Sequence, residues 1–461
     1  MARRGRRRPQ HQRRRELLAL ADVSRPYHPS PAMRSSPAEI PSVHRRSKRS
    51  SSASATPYPT WVILNRMGNR RDSLHGDGTT SAASCTSAGE EIRVSLDLAK
   101  PPRTSLLVLD WPQGPRPSEG TTSYPHVIAA HRDAVLLEIV SAAKYPRQRA
   151  VDYFVYDASE GHPHPSLTRL PVCCWKGTSN ADSPRPRVMS REAMGLLSCG
   201  KDLFIVADLE RRPKQPSAVN IYLFCSGSDD WRVLRGVPIS IRDDDDGVSD
   251  LGWWSTDVVL PYGRRFLIWV DYLRGMIIAN MLAHGSGNDQ HQQPPVPVLR
   301  YVPLPVDPVL GNPYHSDYGR GCPAATRSLK HGRNITLFSL LENQTWREDA
   351  TLDFAQLWGL DSENRLPHVK PEFPVVDMEH PHVVCFLLNK GRHFAEPEAT
   401  TWMIKVHMKK KILLDITDYS NKAGCSSSYQ KTYRAARKMS EGLSFISTEM
   451  PCYLSAETME K

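Results

Sequence analysis

Residues 256–282 read TDVVLPYGRRFLIWVDYLRGMIIANML. Three apolar runs, rich in Val, Ile, Leu and aromatic residues, are separated by the polar stretches PYGRR and DYLRG. Runs this short, bounded by Gly, Pro, Asp and Arg, are strands folded back on one another; a helix would need a longer stretch with apolar residues every three or four positions. The same order recurs outward in both directions. HVIAAHRDAVLLEIV, VDYFVYDA and SLTRLPV precede GLLSCGKDLFIVADL and AVNIYLFCSGSDDWRVL, and PHVVCFLLNKG with TWMIKVHMKKKILLDI follows. The central runs, residues 134–140, 203–207 and 266–270, recur about every sixty residues, somewhat more than a usual propeller blade of four strands.

This pattern predicts an all-β, mainly antiparallel fold, read as a β-propeller of about six irregular blades. Residues 61–64, 92–98 and 105–109 supply a blade before the first clear copy, and residues 334–340 with 345–346 a degenerate one before the last. A multi-sheet β-sandwich is the alternative, because period-two alternation is common to both. The chain divides into an Arg/Ser/Pro-rich tail over 1–57, a β-rich body over 58–420 and a polar extension over 421–461. The tail has too few apolar residues to offset the cost of ordering it and is expected to be disordered. In the extension, Ser428–Gly442 is the best helical candidate.

The 461 residues carry a net charge of +11. Residues 1–50 hold thirteen Arg and one Lys against Glu16, Asp22 and Glu39, so this stretch alone accounts for +11, and the remainder is balanced at 46 basic and 46 acidic residues. A nucleic-acid role therefore rests on the tail, since the body has no excess positive charge to displace counterions. Arg3, Arg4, Arg6, Arg7, Arg8, Arg13, Arg14 and Arg15 resemble a nuclear-import signal; an Arg-rich, acid-poor leader also fits an organellar transit peptide. Nine cysteines without C-x-x-C spacing read as free thiols, hence a reducing, intracellular setting, in nucleus or cytoplasm. No run is long and apolar enough for a membrane helix, and the N-x-[ST] matches at Asn334 and Asn343 are expected to be idle.

Collectively, YPTWVILNRMGNRRD, IRVSLDLAKPPRTSLLVLDWPQGP, VIAAHRDAVLLEIV, TDVVLPYGRRFLIWVDYLRGM, LRYVPLPV and PEFPVVDMEHPHVVCFLL resemble the grass-expanded plant family called domain of unknown function 1618, over most of residues 58–419. The resemblance implies no established activity, cofactor or site residues. The repeats also resemble propellers attached to plant F-box proteins, although no leucine-rich F-box precedes the strands.

The tempting catalytic motifs fail on context. His131-Arg132-Asp133 spells the kinase catalytic loop, but Glu138 stands where a metal-holding Asn is needed, so these residues read as a hairpin turn. Asp243–Asp246 lacks the alternating ligands of a calcium loop, and His162 with His164 lacks a second zinc pair. Gly195-Leu-Leu-Ser198-Cys-Gly200 has the wrong spacing for a nucleophile elbow. No catalytic, cofactor or metal residues are therefore assigned, and the chain is read as a non-enzyme. Most tryptophans, Trp231, Trp269 and Trp402 among them, are expected between sheets. Trp253-Trp254 is different: it follows the acidic run and precedes a strand, so one ring is expected to be exposed as a binding anchor. The first functional reading is a non-catalytic module for a protein or peptide partner. The alternatives are an enzyme or small-molecule binder using a central channel, and a nucleic-acid-associated protein acting through its tail.

Overall fold

In the computed structural model the described residues are 58–74, 79–114, 124–141, 150–158, 164–175, 185–200, 203–212, 214–241, 250–282, 296–305, 334–341, 345–389, 401–418 and 445–454. The Arg-rich tail, the tetra-aspartate run and the helical candidate at 428–442 lie outside them. Of the described residues, 58% are in strands and 5% in helices.

The first sheet draws on β1 (Val62–Asn65), β2 (Asn69–Arg71), β3 (Ala82–Cys85), β4 (Glu91–Asp97) and β5 (Thr104–Asp110). The second is a meander of β6 (His126–His131), β7 (Ala134–Ser141), β8 (Ala150–Asp157) and β9 (Ser166–Arg169). The short strands β10 (Cys174–Trp175) and β11 (Arg185–Pro186) pair with each other. Next come two meanders: β12 (Met194–Gly200), β13 (Leu203–Arg211), β14 (Ala218–Cys225) and β15 (Arg232–Ser240), then β16 (Val258–Tyr262), β17 (Phe266–Asp271), β18 (Gly275–Asn280) and β19 (Val298–Pro303). They are followed by the pair β20 (Asn334–Leu340) and β21 (Trp346–Asp353), the helix α1 (Phe354–Gly359), and a meander of β22 (Glu372–Val376), β23 (Val383–Asn389), β24 (Thr401–His407) and β25 (Ile412–Asp418). Last is β26 (Phe445–Thr448), which returns to the first sheet and pairs antiparallel with β1 from Val62↔Thr448 to Asn65↔Phe445. The sheet structure therefore continues past residue 420.

Hydrogen bonding does not divide the chain into six four-stranded blades. β1 and β2 both run parallel to β5, so the first sheet has six strands. β15 and β19 join through two parallel pairs, Ile239↔Leu299 and Ser240↔Arg300, which fuses two meanders into one eight-stranded sheet. Its edge strands β12 and β16 lie side by side, so this sheet is almost closed and barrel-like. Among the described residues the fifth group consists of β20 and β21. No closed propeller follows from the hydrogen bonds alone.

Alternation nonetheless buries both faces of the central strands, and the buried faces link the groups in order. In β7, Val135, Leu137 and Ile139 face the first sheet's Ile92, Val94 and Leu107, whereas Ala134 and Leu136 face Leu196, Phe204 and Val206 of the third group. In β13, Ile205, Ala207 and Leu209 turn to the fourth group's Leu267 and Trp269. Ile268 and Val270 of β17 meet Phe338 and Leu340, and Ile335 and Leu352 meet Phe386 and Leu388 of β23. Cys385 and Leu387, on the opposite face of β23, pack on Trp61 and Ile63. The last core thus lies between the last meander and the first sheet.

Polar pins reinforce two of these junctions. Arg191 forks onto Glu138 with Nε 3.1 Å from both carboxylate oxygens, while Arg187, four residues earlier, pairs with the fully buried Asp208 and lies 3.9 Å over the Tyr222 ring. The stretch carrying both arginines therefore ties β7 to β13 and β14. Trp269 Nε1 donates to the Ala193 carbonyl at 2.7 Å, which ties the fourth group to the start of β12.

Candidate interaction surface

Asp250–Trp253 form one turn of 3-10 helix between β15 and β16. In that geometry residues three apart share a side. Leu251 and Trp254 accordingly both enter the core between the third and fourth groups, and Trp253 faces outward, 46% exposed against 6% for Trp254. Trp254 packs edge-on against Tyr301, with centroids 6.5 Å apart, and its Nε1 donates to Thr256 Oγ1 at 3.0 Å.

The loop's frame is polar and buried. Asp271 Oδ2 accepts from the Ser255 amide and from Arg274 Nη1, both at 2.9 Å, and Oδ1 accepts from the Leu273 amide at 2.8 Å. Both members of the Asp271–Arg274 pair are 1% exposed, so each neutralises a charge that would otherwise be costly in the interior. Asp257 adds a second brace, its Oδ2 accepting from the Tyr272 amide at 2.7 Å. On the other side, Arg211 of β13 donates to the Gly252 carbonyl. Trp253 is thus an exposed indole on a backbone held from two meanders of the eight-stranded sheet. The acidic run 243–246, expected beside it, lies outside the described residues.

The other sequence candidates have structural work. His131 pairs with Ala134, so Arg132 and Asp133 are the two residues of the β6–β7 turn, with Arg132 at φ 53°. His131 Nδ1 accepts from the Ser198 amide at 2.9 Å. Burial, with Arg132 and Arg264 nearby, pushes the imidazole down to about 3, which keeps it a neutral acceptor. Ser198 itself is buried. At Gly195 an added Cβ would stand 2.5 Å from Val259 Cγ1, so this glycine permits the close approach of β12 and β16. His164 is described and His162 is not, so they form no described pair. Trp231 is buried between the second and third groups, Trp269 is buried inside the eight-stranded sheet rather than between sheets, and Trp402 is partly buried.

One group with metal-ligand chemistry has little signal in the sequence. Asp377, Glu379 and His380, in the β22–β23 turn, offer ligand atoms within 4.8 Å of one another. Asp377 is already committed: Lys405 Nζ stands 2.7 Å from Oδ2, and the amides of Glu379 and His380 donate to Oδ1 at 3.0 Å. Burial alone would raise this carboxyl's pKa, but the lysine and the amide hydrogen bonds hold it below the usual value. The arrangement is a braced turn. The D-x-E-H spacing is its only mark in the sequence.

A sequence family described as "Protein of unknown function (DUF1618)" matches residues 269–339 and 330–385. The chain is similar to this family over those residues. The DUF1618 match starts within β17 and ends within β23, so it takes in β18 to β22 and is narrower than the expected 58–419. Trp253 and Trp254 lie N-terminal to it. The search of curated proteins found no match. The DUF1618 match assigns neither a reaction nor a partner.

Proposed function

We infer that this chain is a non-catalytic interaction module whose sheets act as irregular blades around a common axis and whose Trp253 anchors a protein or peptide partner. The succession of shared cores supports the propeller reading, as do the edge strands: β26 lies beside β6, β6 beside β12, β12 beside β16 and β22 beside β26. The observation that carries the functional reading is the contrast within one turn, with Trp254 buried and Trp253 46% exposed on a braced backbone. A backbone braced before binding leaves less freedom to lose on contact, and exposed aromatic rings are frequent hot spots.

The enzyme reading has less support. His126 and His131 are the most perturbed imidazoles, but they sit at opposite ends of β6, about 16 Å apart along an extended strand. They do not converge on one reacting centre. The nucleic-acid reading and the nuclear-import reading rest on the basic tail, and the reducing, intracellular setting on the free cysteines. A fluorescent fusion of residues 1–50 tests the import signal, and salt-dependent nucleic-acid binding that vanishes with those residues would favour the tail-borne reading.

The module is tested by proximity labelling in plant cells with the wild-type chain, Trp253→Ala and a chain lacking residues 1–50. The expected result is a reproducible partner set that survives tail deletion and is depleted by Trp253→Ala. A set unchanged by Trp253→Ala, or lost only with the tail, would overturn it.

A further inference from the structure

β25 is the outer strand of the last meander, and among the described residues no strand pairs with its far side. An outer strand presents a row of backbone donors and acceptors that can take on a further strand. Ile412 and Leu414, two residues apart and so on one side of β25, are 46% and 48% exposed. Among the described edge strands β25 alone carries two exposed aliphatic side chains. β9, the outer strand of the second sheet, buries Leu167 and shows Ser166, Thr168 and Arg169 to solvent, and β15 is covered by β19.

Charge along this edge falls into two blocks. Lys409, Lys410 and Lys411, all exposed, lead into β25, and Asp415 and Asp418 lie in its second half. Lysines and a bulge, such as the one where β25 passes Lys405 and Val406, are devices that discourage strands from pairing edge to edge. Here the lysines stand at one end and the aspartates at the other. Like charges therefore meet if a second copy lies parallel, and opposite charges meet if it lies antiparallel. A two-fold axis centred on Leu413 sets Ile412 opposite the second copy's Leu414 and Lys411 opposite its Asp415, with Lys410 diagonal to its Asp418. Lys411 Nζ donates to Gln356 Oε1 at 2.9 Å on the surface, a neutral acceptor that a carboxylate outcompetes. The edge is thus complementary to itself in both apolar and charged positions.

We propose that two copies of this chain associate through β25, paired antiparallel across a two-fold axis, so that their last meanders join into one continuous sheet. The proposal does not depend on the role of Trp253. A single strand pair is a small interface, so half-dissociation is expected at about 1–100 μM. Sedimentation equilibrium on the full chain should show the mass of one chain giving way to twice that mass across this range. Lys411 and Asp415 are exposed, so Lys411→Glu and Asp415→Lys should keep the wild-type melting temperature. Each alone should weaken self-association at least tenfold, because like charges then face each other at both ends of the pairing. Mixed in equal amounts, the two variants should pair with each other, since every altered charge meets its opposite. Ile412→Lys with Leu414→Lys should abolish the dimer. A monomer throughout the range, a dimer indifferent to Ile412→Lys with Leu414→Lys, or charge variants that fail to pair when mixed would each overturn the proposal.

Discussion

The second sheet and the first are built from the same kinds of residue but assembled in opposite ways. β6 to β9 come from one stretch, 126–169, and each strand pairs with its neighbour in sequence. The first sheet needs β26, from residues 445–448, to cover β1 at 62–65. In one case the turns set the register. In the other, a pairing distant in sequence must be made at the cost of closing a very long loop. The frame therefore depends most on the part of the chain with the least local signal.

Deleting residues 445–454 should set the two sheets apart most severely. Met450 and Leu454 are buried in the core shared by the first two sheets, and Phe445 packs edge-on against Phe373 of β22. Calorimetry should show a loss of stability larger than that of any single substitution below, with the single cooperative transition broadened or split. A loss no greater than that of a frayed terminus would put β26 outside the frame.

A smaller effect, about 3–5 kcal/mol by chemical denaturation, is expected for Arg187→Ala, which strands the buried Asp208. Asp208 Oδ1 has no hydrogen-bond partner among the described residues, and burial already raises this carboxyl's pKa against the pull of Arg187. Arg187→Ala together with Asp208→Leu should recover much of the loss. No recovery would mean that Arg187 acts through packing on Tyr222 alone.

His131 predicts a pH effect of about 1–2 kcal/mol at pH 5. Its folded pKa of about 3 lies below the ordinary 6.5, so folding excludes the proton. The contribution is complete above pH 6.5 and is lost as pH falls from there toward 3. His131→Asn should flatten that part of the stability–pH curve, and an unchanged curve would count against a buried neutral imidazole. Smallest of all is Trp253→Ala, expected to stay within about 0.5 kcal/mol of wild type in stability.

Local features were legible in the sequence. The runs at 134–140, 203–207 and 266–270 all lie within β7, β13 and β17, and the H-R-D turn fell where Gly-, Pro- and charge-rich punctuation placed the others. Asp353 and Gln356 form a capping box at α1, a helix start that the D-x-x-Q spacing carries. β26 was not legible, because four residues of moderate hydrophobicity carry no periodicity of their own. The parallel join at Ile239 and Leu299 was hidden for the same reason. Of the candidate surface, the Trp253-Trp254 pair stood out, but which ring faced outward depended on Leu251 sharing a side with Trp254.

The decisive test of the frame is amide hydrogen exchange on the chain lacking residues 445–454. If the six cores form one circuit, protection should fall in 62–65 and in the strands on both sides, 126–131 and 372–376, while 194–211 keeps more of its protection. Loss confined to 62–65, with both flanking strands unchanged, would contradict a frame closed by the two ends of the chain.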